Sequence, residues 1–376
     1  MPSAVDWIEG LSPWPEEFGL GRIRDLLTTL GDPQLAYPSI HVVGTNGKTT
    51  TARMLEAILE AEGLTVGTYT SPHVVGWSER IRVGGEEADF ASAIDRMRSP
   101  AEELGATQFE VLTAAALGEF AAAEVDVAVI EAGLGGRHDA TNVLRSPVQV
   151  VTNVALEHTE HLGMTREAIA AEKLAVVQPG ATVVLGEPEW EDLARASGAG
   201  VVVVVSRSNL ALAATAAQEF LGRVVDPTPA QEVRVPGRLE RRGEAPLEIW
   251  DGAHNLTGVG YLLGRLPSRR YVVVLSILAD KDADGMLAAF SVLGDRLIAT
   301  SSSNPRALPA EELARHGEPF FDEVEAVPDP SEALDRARRA AGEEGAVLAT
   351  GSLYLLADLA AIRPPFSVPW DTSPNG

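Results

Sequence analysis

The chain has 376 residues, of which 45% are hydrophobic and 22% charged, and its formal net charge is −24 at pH 7. This composition is typical of a folded globular protein with about two domains. The acidic charge argues against nucleic acid or an anionic membrane as a partner, because both bind to a broad basic face. The sequence contains no cysteine, which excludes disulfides, thiol catalysis and cysteine-ligated metal sites.

The N-terminal segment MPSAVDWIEGLSPWPEEF has no basic stretch followed by an apolar one, so we predict no signal peptide. No apolar run approaches the roughly 18 residues that a membrane-spanning helix needs. We therefore expect a cytoplasmic protein.

Short β-branched apolar runs alternate with amphipathic stretches along the first part of the chain, which is typical of α/β proteins. The predicted strands are SIHVV, LTVGTYT, VDVAVIEA, VQVVTNV, TVVLG and VVVVV. Among the helices between them, the first ends at Gly63, another runs from about Phe109 to Glu124, and a further one follows Ser208. We predict that these elements form one parallel, doubly wound sheet.

Residues 224–245 break this alternation with three prolines and four arginines, and we place the domain boundary there. Strands and helices then alternate again, with strands predicted at PLEIWD, YVVVLSIL, RLIATSS and AVLATGS. The sequence therefore predicts a first domain over residues 1–235 and a smaller α/β domain over residues 246–376. The proline-rich tail after Arg363 is expected to be loosely held.

The segment GTNGKTT lies between a predicted strand and a predicted helix, the context that a phosphate-binding loop requires. Its glycines allow backbone N–H groups to turn towards an anion, Lys48 can reach the β- and γ-phosphates, and Thr49 or Thr50 can hold Mg²⁺. The form is the shorter G-x-x-G-K-T, since Val42 stands where the leading glycine is usual. The predicted nucleotide-binding residues are Gly44, Thr45, Asn46, Gly47, Lys48, Thr49 and Thr50.

Three predicted strands end in polar side chains: Ser71, Glu131 and His158. Ligands of an open parallel sheet collect beyond the carboxyl ends of its strands. A hydroxyl, a carboxylate and an imidazole at that edge can ligate a divalent cation. Alternatively, Glu131 caps a neighbouring loop and His158 is a hydrogen-bonded loop histidine; the spacing does not decide between the two interpretations.

Lysine is rare in this chain: Lys48, Lys173 and Lys281 are the only lysines, and the other 27 of the 30 basic residues are arginine. The lysines are therefore candidates for sites that need a compact ammonium or an amine able to lose its proton, with chance retention on the surface as the alternative. Lys173 follows the His158 loop by one helix. It is either a solvated helix lysine or an amine that adds CO₂ to become a carbamate, a carboxylate-like metal ligand.

Several other polar residues have two interpretations each. Arg80 belongs either to a surface strand or to a site for an anionic substrate, and its position alone favours the surface. Arg238 lies at the inferred domain boundary, where an arginine can clamp ATP between domains. Asp251 and His254 lie in DGAHN, which is either a simple turn or a group of hydrogen-bonding side chains facing a cleft.

Together these segments resemble the folylpolyglutamate synthase/dihydrofolate synthase family, which is related to the Mur peptidoglycan ligases. The resemblance extends from FGLGRI near Phe18 to TGSLYLLADL near Leu359. The motifs that carry it are GTNGKTT, TSPHVVGWSERIRV, FEVLTAAALGEF, EAGLGGRHDATNV, TNVALEHTEHLG, AEKLAVV, PGRLE, DGAHN and DKD. It implies an α/β fold in which a P-loop domain with a doubly wound, mostly parallel sheet precedes a smaller Rossmann-like domain.

The resemblance also implies roles for individual residues. The metal ligands would be Ser71, Glu131, His158 and a carbamylated Lys173, with Thr49 from the loop. Further contacts to ATP would come from Asn209, Arg238, Asp251 and His254. The folate or pterin substrate would lie against Arg80, Thr107, Gln108, Phe109, Glu110, His138, Asp139 and Ala140. The residues nearest the chemistry would be Lys48, His158 and Lys173.

The sequence departs from the family pattern in three places. Thr49 gives the G-K-T-T form that is common in Mur ligases, whereas the family usually has G-K-G-S or G-K-G-T. The segment before Asn209 is shorter than usual, and His138 stands where leucine is commoner.

By resemblance, the chain is an enzyme that uses ATP to join L-glutamate to dihydropteroate or to the glutamate tail of a reduced folate. The substrate carboxylate would attack the γ-phosphate to give an acyl phosphate, and the amino group of glutamate would then displace phosphate. The implied cofactors are ATP and Mg²⁺, with a monovalent cation such as K⁺ left open. A monomer that binds only small molecules is expected.

Two other functions are considered. A Mur-type cell-wall ligase usually carries an extra N-terminal domain, and the residues before Gly44 are too few for one. A non-catalytic nucleotide-binding regulator would not need the full set of Lys48, Glu131, His158, Lys173 and Asp251, because it carries out no acyl-phosphate chemistry.

Overall fold

The computed structural model describes residues 2–15 and 17–362, which form two compact units. The first unit comprises the described residues up to His73 together with Trp77–Val233, and the second comprises Val74–Gly76 and the described residues from Arg234 onward. The proline-rich tail after Arg363 lies outside the described residues.

The first unit contains an eight-stranded sheet and the helices around it. Its strands are β1 Ser39–Val43, β2 Val66–Tyr69, β3 Ile81–Val83, β4 Glu86–Glu87, β5 Val127–Glu131, β6 Val148–Val151, β7 Thr182–Leu185 and β8 Val201–Val204. Its α-helices are α1 Ala4–Glu9, α2 Gly21–Thr29, α3 Lys48–Ala61, α4 Phe90–Asp95, α5 Arg98–Leu104, α6 Gln108–Ala122, α7 Thr159–Leu162, α8 Arg166–Leu174, α9 Glu191–Ala196, α10 Asn209–Leu221 and α11 Thr228–Gln231.

The strand order of this sheet is β4-β3-β2-β5-β1-β6-β7-β8. Strands β2, β5, β1, β6, β7 and β8 pair in parallel, as predicted. Strands β3 and β4 add an antiparallel edge; β3 lies in the segment for which a surface strand was one interpretation, and β4 was not predicted. The central strands β2, β5, β1 and β6 are neighbours, so their carboxyl ends lie side by side. Those four ends are followed by Ser71, the loop after Glu131, the Gly44 loop and the His158 loop, which places the predicted metal and nucleotide residues at one edge.

Buried helices on the two faces of the sheet hold this edge in place. On one face, Leu55 and Ile58 of α3 pack with Val42 and Val129 of the strands, and each fully buried aliphatic side chain stabilises the fold by about 1.5–3 kcal/mol. In the other core, α6 is buried on several sides, because its middle is built of alanine and leucine.

The second unit contains a six-stranded sheet of order β13-β12-β11-β14-β10-β9. Its strands are β9 Glu240–Glu244, β10 Leu247–Trp250, β11 Tyr271–Leu275, β12 Arg296–Ala299, β13 Glu323–Ala326 and β14 Ala346–Thr350. Its α-helices are α12 Leu256–Leu263, α13 Ala283–Phe290, α14 Ala310–Gly317, α15 Pro330–Ala341 and α16 Leu353–Ile362.

The second unit begins earlier than the predicted boundary allowed. Residues 236–245 were left outside both predicted domains, but Glu240–Glu244 forms β9, which pairs antiparallel with β10. Its arginines obscured the strand in the sequence: Arg242 stacks on the buried ring of Trp250 at 3.9 Å and pairs with Glu240 at 2.7 Å. The short strand β13 was also missed. In the part of the chain that the structure describes, no helix is long and apolar enough to cross a bilayer.

Candidate active site

The GTNGKTT segment forms a loop between β1 and α3, with Gly47 in the left-handed region at φ 82° just before the helix. The Lys48 ammonium folds back over the loop and donates to the carbonyls of Gly44 at 3.1 Å and Thr45 at 3.2 Å. The loop backbone is held from the side by Asn153, whose side chain accepts from the N–H of Asn46 and donates to its carbonyl, each at 3.1 Å. The predicted strand–loop–helix context is confirmed.

Asn209 lies against this loop. A Cβ atom added to Gly47 would come within 2.5 Å of the Asn209 side-chain oxygen, so the absence of a side chain at Gly47 allows α10 to begin here. The short segment before Asn209 therefore does not displace it from the nucleotide loop.

Thr49, Glu131 and Ser71 meet directly. The Thr49 hydroxyl donates to Oε1 of Glu131 at 3.0 Å, and the Ser71 backbone N–H donates to Oε2 at 3.1 Å. Glu131 is 1% exposed. The Glu131 carboxylate therefore does fix a neighbouring segment, as one of its two interpretations predicted, and it also contacts the first turn of the nucleotide-loop helix. Its role as a metal ligand stays a prediction.

Lys173 is buried at the other side of the same loop, which excludes the solvated-lysine interpretation. Its Nζ donates to the Gly44 carbonyl at 2.9 Å and to Oε1 of Glu157 at 2.7 Å. Burial lowers the pKa of Lys173, and Glu157 opposes that shift. Burial alone would raise the pKa of Glu157, but Lys173 and Lys48 outweigh it and lower that pKa to about 2.

His158 follows Glu157 and begins the short helix α7 with a left-handed backbone at φ 44°. Its Nδ1 lies 4.0 Å from the carboxylate of Glu160, and its side chain is 30% exposed. Among the described residues, no group of three or more His, Cys, Asp or Glu side chains is placed to hold a metal. The predicted ligand set contains only two such side chains, Glu131 and His158, and takes its remaining oxygens from Ser71, Thr49 and a modified lysine.

The glycine-rich loop after β5 packs tightly on the end of the Lys173 helix. The backbone N–H of Arg137 donates to the Glu172 carbonyl at 3.1 Å, and the two side chains form an ion pair at 2.9 Å. A Cβ atom on Gly136 would lie 2.5 Å from the Glu172 carbonyl oxygen and 2.8 Å from that of Lys173. Gly136 therefore allows the glycine-rich loop to pack closely on the backbone of Glu172 and Lys173, which helps to position Lys173 next to the nucleotide loop.

We expect Gly136→Ala to destabilise the protein by about 1–3 kcal/mol, because the added methyl group meets backbone that has no free space to move into. Gly118→Ala is the matched control: Gly118 lies within α6 with nothing within 4 Å of its Cβ position. That change should stabilise the helix by about 0.5–1 kcal/mol. Urea unfolding of both variants measures the difference, and equal midpoints would contradict the close approach.

The predicted substrate segment at the start of α6 has mainly structural contacts. Glu110 accepts from the Thr107 backbone at 2.8 Å and hydroxyl at 2.7 Å in a capping box, and pairs with Arg22 at 2.7 Å. The Gln108 amide donates to the Ile8 carbonyl at 2.9 Å. These three side chains hold α6 and the N-terminal segment, which leaves Phe109 as the residue of this group on which the substrate-binding prediction rests. Its ring packs against Tyr69 and over Gly133.

In the second predicted substrate segment, residues 138–140, one residue is exposed and two are buried. His138 is exposed, whereas Asp139 and Ala140 are buried. The Asp139 carboxylate accepts from the Leu134 N–H at 2.7 Å and from the Thr141 N–H at 3.0 Å, so it shapes the glycine-rich loop. Burial raises the pKa of Asp139, and these hydrogen bonds oppose the shift.

Arg80 is neither on the surface nor open to solvent. It is 9% exposed, its guanidinium lies 4.6 Å over the ring of Trp77, and its Nε donates to His73 at 2.9 Å. Burial, followed by Arg80, lowers the pKa of His73 to about 3, so this imidazole is a neutral acceptor. The expectation that Arg80 faces the surface was therefore wrong, because the aromatic ring of Trp77 covers it.

In the second unit, Asp251 and His254 follow β10, and Arg238, which precedes β9, reaches the same turn. Asp251 accepts from the backbone N–H of Leu239 at 2.8 Å and of Ala253 at 2.9 Å, and His254 Nδ1 lies 2.8 Å from the Gly252 carbonyl. A Cβ atom on Gly252 would lie 2.7 Å from the Arg238 guanidinium. Burial raises the pKa of Asp251 and Arg238 opposes that shift, so Asp251 and Arg238 interact electrostatically.

Two residues at this edge escaped the sequence analysis although their motif was noticed. Glu157 and Asn153 both lie in TNVALEHTEHLG, where attention fell on His158 alone. The available signal for the Lys173 ion pair was an acidic residue, Glu157, next to His158 and before the helix that contains a rare lysine. Asn153 carried the weaker signal of an asparagine directly after a buried strand.

Comparisons with known protein families agree with this geometry. Residues 42–225 match the Mur ligase middle domain, and residues 237–353 match the Mur ligase glutamate ligase domain. The chain is 34% identical over 403 residues to the dihydrofolate synthase/folylpolyglutamate synthase of Escherichia coli, with 95% of this chain and 94% of the relative covered. It is also 34% identical to the enzyme of that name from Mycobacterium tuberculosis, with 86% and 83% covered.

Solved structures show the same likeness. A structure of E. coli FolC in complex with DHPP and ADP superposes with a TM-score of 0.86 at 31% identity, covering 96% of this chain and 97% of that one. A Yersinia pestis bifunctional folylpolyglutamate synthase/dihydrofolate synthase with Mn, AMPPNP and L-glutamate bound superposes with a TM-score of 0.87 at 31% identity, covering 96% and 98%.

The P-loop site and the two α/β units define the class: this chain is an ATP-dependent, amide-bond-forming ligase of the Mur type. Within that class, it belongs to the dihydrofolate synthase/folylpolyglutamate synthase family.

Proposed function

We propose that this chain adds L-glutamate to dihydropteroate, to the glutamate tail of a reduced folate, or to both, through an acyl-phosphate intermediate. The observation that carries the proposal is the convergence of Glu131 on Thr49 and of Lys173 on Gly44, two contacts that place a carboxylate and an amine on either side of one nucleotide loop. The names of the relatives support the substrate class.

The loop residues would hold the phosphates of ATP. Backbone N–H groups at the start of α3 carry the partial positive charge of the helix, and Lys48 adds a full charge that can move from the Gly44 and Thr45 carbonyls to a phosphate oxygen. Asn209 at Gly47 would contact the nucleotide, and so would Arg238, Asp251 and His254 of the second unit. These contacts orient the γ-phosphate towards the substrate carboxylate.

The donor set fits a hard divalent cation, because Thr49 and Glu131 offer oxygen atoms within one hydrogen-bonded group, which Ser71 joins through its backbone N–H. Glu131 and His158 would hold Mg²⁺, and Thr49 and Ser71 would add hydroxyl oxygens. When bound, the cation offsets negative charge on the phosphoryl group during transfer.

We propose that Lys173 acts as a carbamate. Its burial favours the neutral amine, which is the form that bonds to the carbon of CO₂ and then releases a proton to give an N-carboxylate. The product would carry two oxygens at the end of a rigid buried stem, and it would need Glu157 to turn away or to share a cation. A monovalent cation such as K⁺ and a monomeric state remain further predictions.

Residues of this chain would assist the steps of the reaction as follows. Lys48 and the loop N–H groups stabilise the ADP leaving group while the substrate carboxylate oxygen forms its bond to phosphorus. The neutral amino group of glutamate then attacks the acyl carbon to give a tetrahedral intermediate. Its nitrogen loses a proton to solvent, the acyl C–O bond breaks, and phosphate leaves with one of the original carboxylate oxygens. Phe109, which packs against Tyr69, is the proposed contact for the flat ring of the folate.

The test measures ADP release in the presence of MgATP and L-glutamate. We expect release with dihydropteroate, with a reduced folate, or with both, and the product should carry one additional glutamate by mass spectrometry. Release only with a UDP-muramoyl substrate would instead identify a cell-wall ligase. Release with a folate substrate is favoured, because the similarity to the E. coli dihydrofolate synthase/folylpolyglutamate synthase covers 95% of this chain and 94% of the relative.

A further inference from the structure

Glu187, directly after β7, has a buried carboxylate with four donors around it. It is 8% exposed. Its Oε2 accepts from the backbone N–H of Val154 at 2.9 Å, from the Trp190 indole at 2.9 Å and from Arg166 at 3.2 Å, and its Oε1 pairs with Arg207 at 3.1 Å. These four donors satisfy both oxygens of the buried carboxylate, and three of the donors come from other segments of the chain.

The first set of contacts fixes the start of the loop that carries Glu157 and His158. Val154 lies in that loop, three residues after β6 and next to Asn153, which holds the nucleotide loop. Glu187 takes its N–H, and Arg166 Nε donates to its carbonyl at 2.9 Å, so both polar backbone groups of Val154 are held by one ion pair. Arg166 is itself fixed over the ring of Trp190 at 5.2 Å.

The second contact reaches the turn that begins α10. Arg207 lies two residues before Asn209, whose side chain contacts Gly47 of the nucleotide loop. Ser208 between them caps the helix, so movement of Arg207 is transmitted to Asn209 through a short and hydrogen-bonded segment. The Glu187 carboxylate therefore connects two segments that contact the nucleotide loop: the loop that follows β6 and the turn that follows β8.

An open cavity of about 540 Å³ borders this carboxylate and is lined by Arg166, Glu187, Glu189 and Arg207. Water can enter there. Besides its pair with Glu187, Arg166 keeps contacts with the Val154 carbonyl, Glu189 and the Trp190 ring, whereas the half-exposed Arg207 is held by its ion pair with Glu187. If Glu187 lost its charge, Arg207 would be free to turn into the cavity, and Arg166 would lose one of its two carboxylate partners.

We propose that Glu187 is a positioning residue for nucleotide and metal binding: it holds the His158 loop and the Asn209 turn at fixed places around the P-loop. The proposal rests on the proposed function, because it assigns His158 and Asn209 to the metal and to ATP. Glu187 itself touches neither.

The test compares binding of a non-hydrolysable ATP analogue by calorimetry, with and without Mg²⁺, in the wild type, Glu187→Gln and Glu189→Gln. Glu187→Gln keeps the shape and one acceptor oxygen but loses the charge that holds both arginines. We expect its Kd to rise by about 10-fold with Mg²⁺ and by less without it, since only the first condition uses both segments. Glu189→Gln removes the same charge from an exposed residue that pairs with Arg166 alone, and its Kd should equal that of the wild type.

The outcomes separate the positioning role from simple stabilisation and from the proposed function. A lower melting temperature for Glu187→Gln with an unchanged Kd would overturn the positioning role, as would an equal rise in Kd with and without Mg²⁺. If Glu187→Gln did not fold, Arg207→Ala, which breaks only the Asn209 side, should still weaken analogue binding; an unchanged Kd would overturn the proposal. Binding by the wild type needs no folate, so a wild type that binds the analogue but uses no folate would contradict the proposed function alone.

Discussion

Replacing Lys173 by arginine is expected to lower kcat by about 100-fold or more, because a guanidinium does not add CO₂ and leaves a cation where a carboxylate-like ligand is required. The side chain is 1% exposed and its Nζ is 2.7 Å from Glu157, so arginine keeps the charge of the unmodified lysine and its ion pair. Steady-state turnover without added bicarbonate measures the effect. Intact-mass and ¹³C spectra of wild type equilibrated with labelled bicarbonate should show one added CO₂.

The larger guanidinium also strains a packed site, so loss of turnover in Lys173→Arg has to be separated from loss of the fold. Arg195→Lys, in an exposed ion pair of α9, is the control for an exchange between the two basic residues and should keep wild-type turnover. Lys173→Ala leaves space instead, and short carboxylic acids added to it should restore part of the activity. Near-normal turnover of a folded Lys173→Arg variant would rule out the carbamate.

The sequence predicted the architecture of the first unit well because buried parallel strands are continuous apolar runs, and those runs end where the polar site residues begin. Strand order was not predicted, yet the clustering of Ser71 and Glu131 was, since parallel strands place all their carboxyl ends at one edge. Lysine scarcity was informative for Lys48 and Lys173. Lys281 lies in a turn, paired with Asp280 at 2.8 Å, which gives no evidence of a catalytic role.

The elements that escaped prediction depend on partners that are distant in sequence. Strand β9 has charged residues at most positions, and it is a strand because Arg242 covers Trp250 and the backbone pairs with β10. Gln108 and Glu110 matched a substrate motif, but the Gln108 side chain is held by Ile8, 100 residues away in the chain, and the Glu110 side chain by Arg22, 88 residues away. No local pattern reveals such contacts.

Glu187 is the clearest example of this limit. Its sequence context, between a glycine and a proline after an apolar strand, is that of an ordinary turn. Its importance comes from donors on three other segments, at Val154, Arg166 and Arg207. A family motif readily identifies residues that contact a ligand. It identifies positioning residues less readily, because side chains of different types at different sequence positions can reach the same backbone group.

Replacing Glu131 by glutamine should raise the Mg²⁺ concentration needed for half-maximal activity by about 10- to 100-fold. The amide is close in shape to the carboxylate, and it can accept from the Ser71 N–H while donating to the Thr49 hydroxyl, so the buried hydrogen bonds survive and only the charge is lost. A Mg²⁺ titration at saturating ATP and folate measures the shift. Glu172→Gln, which removes a carboxylate that pairs with Arg137 beside the site, should titrate like the wild type. An unchanged midpoint for Glu131→Gln would remove Glu131 from the metal site, because the charge of a ligand contributes directly to cation affinity whereas the charge of a helix-fixing carboxylate does not.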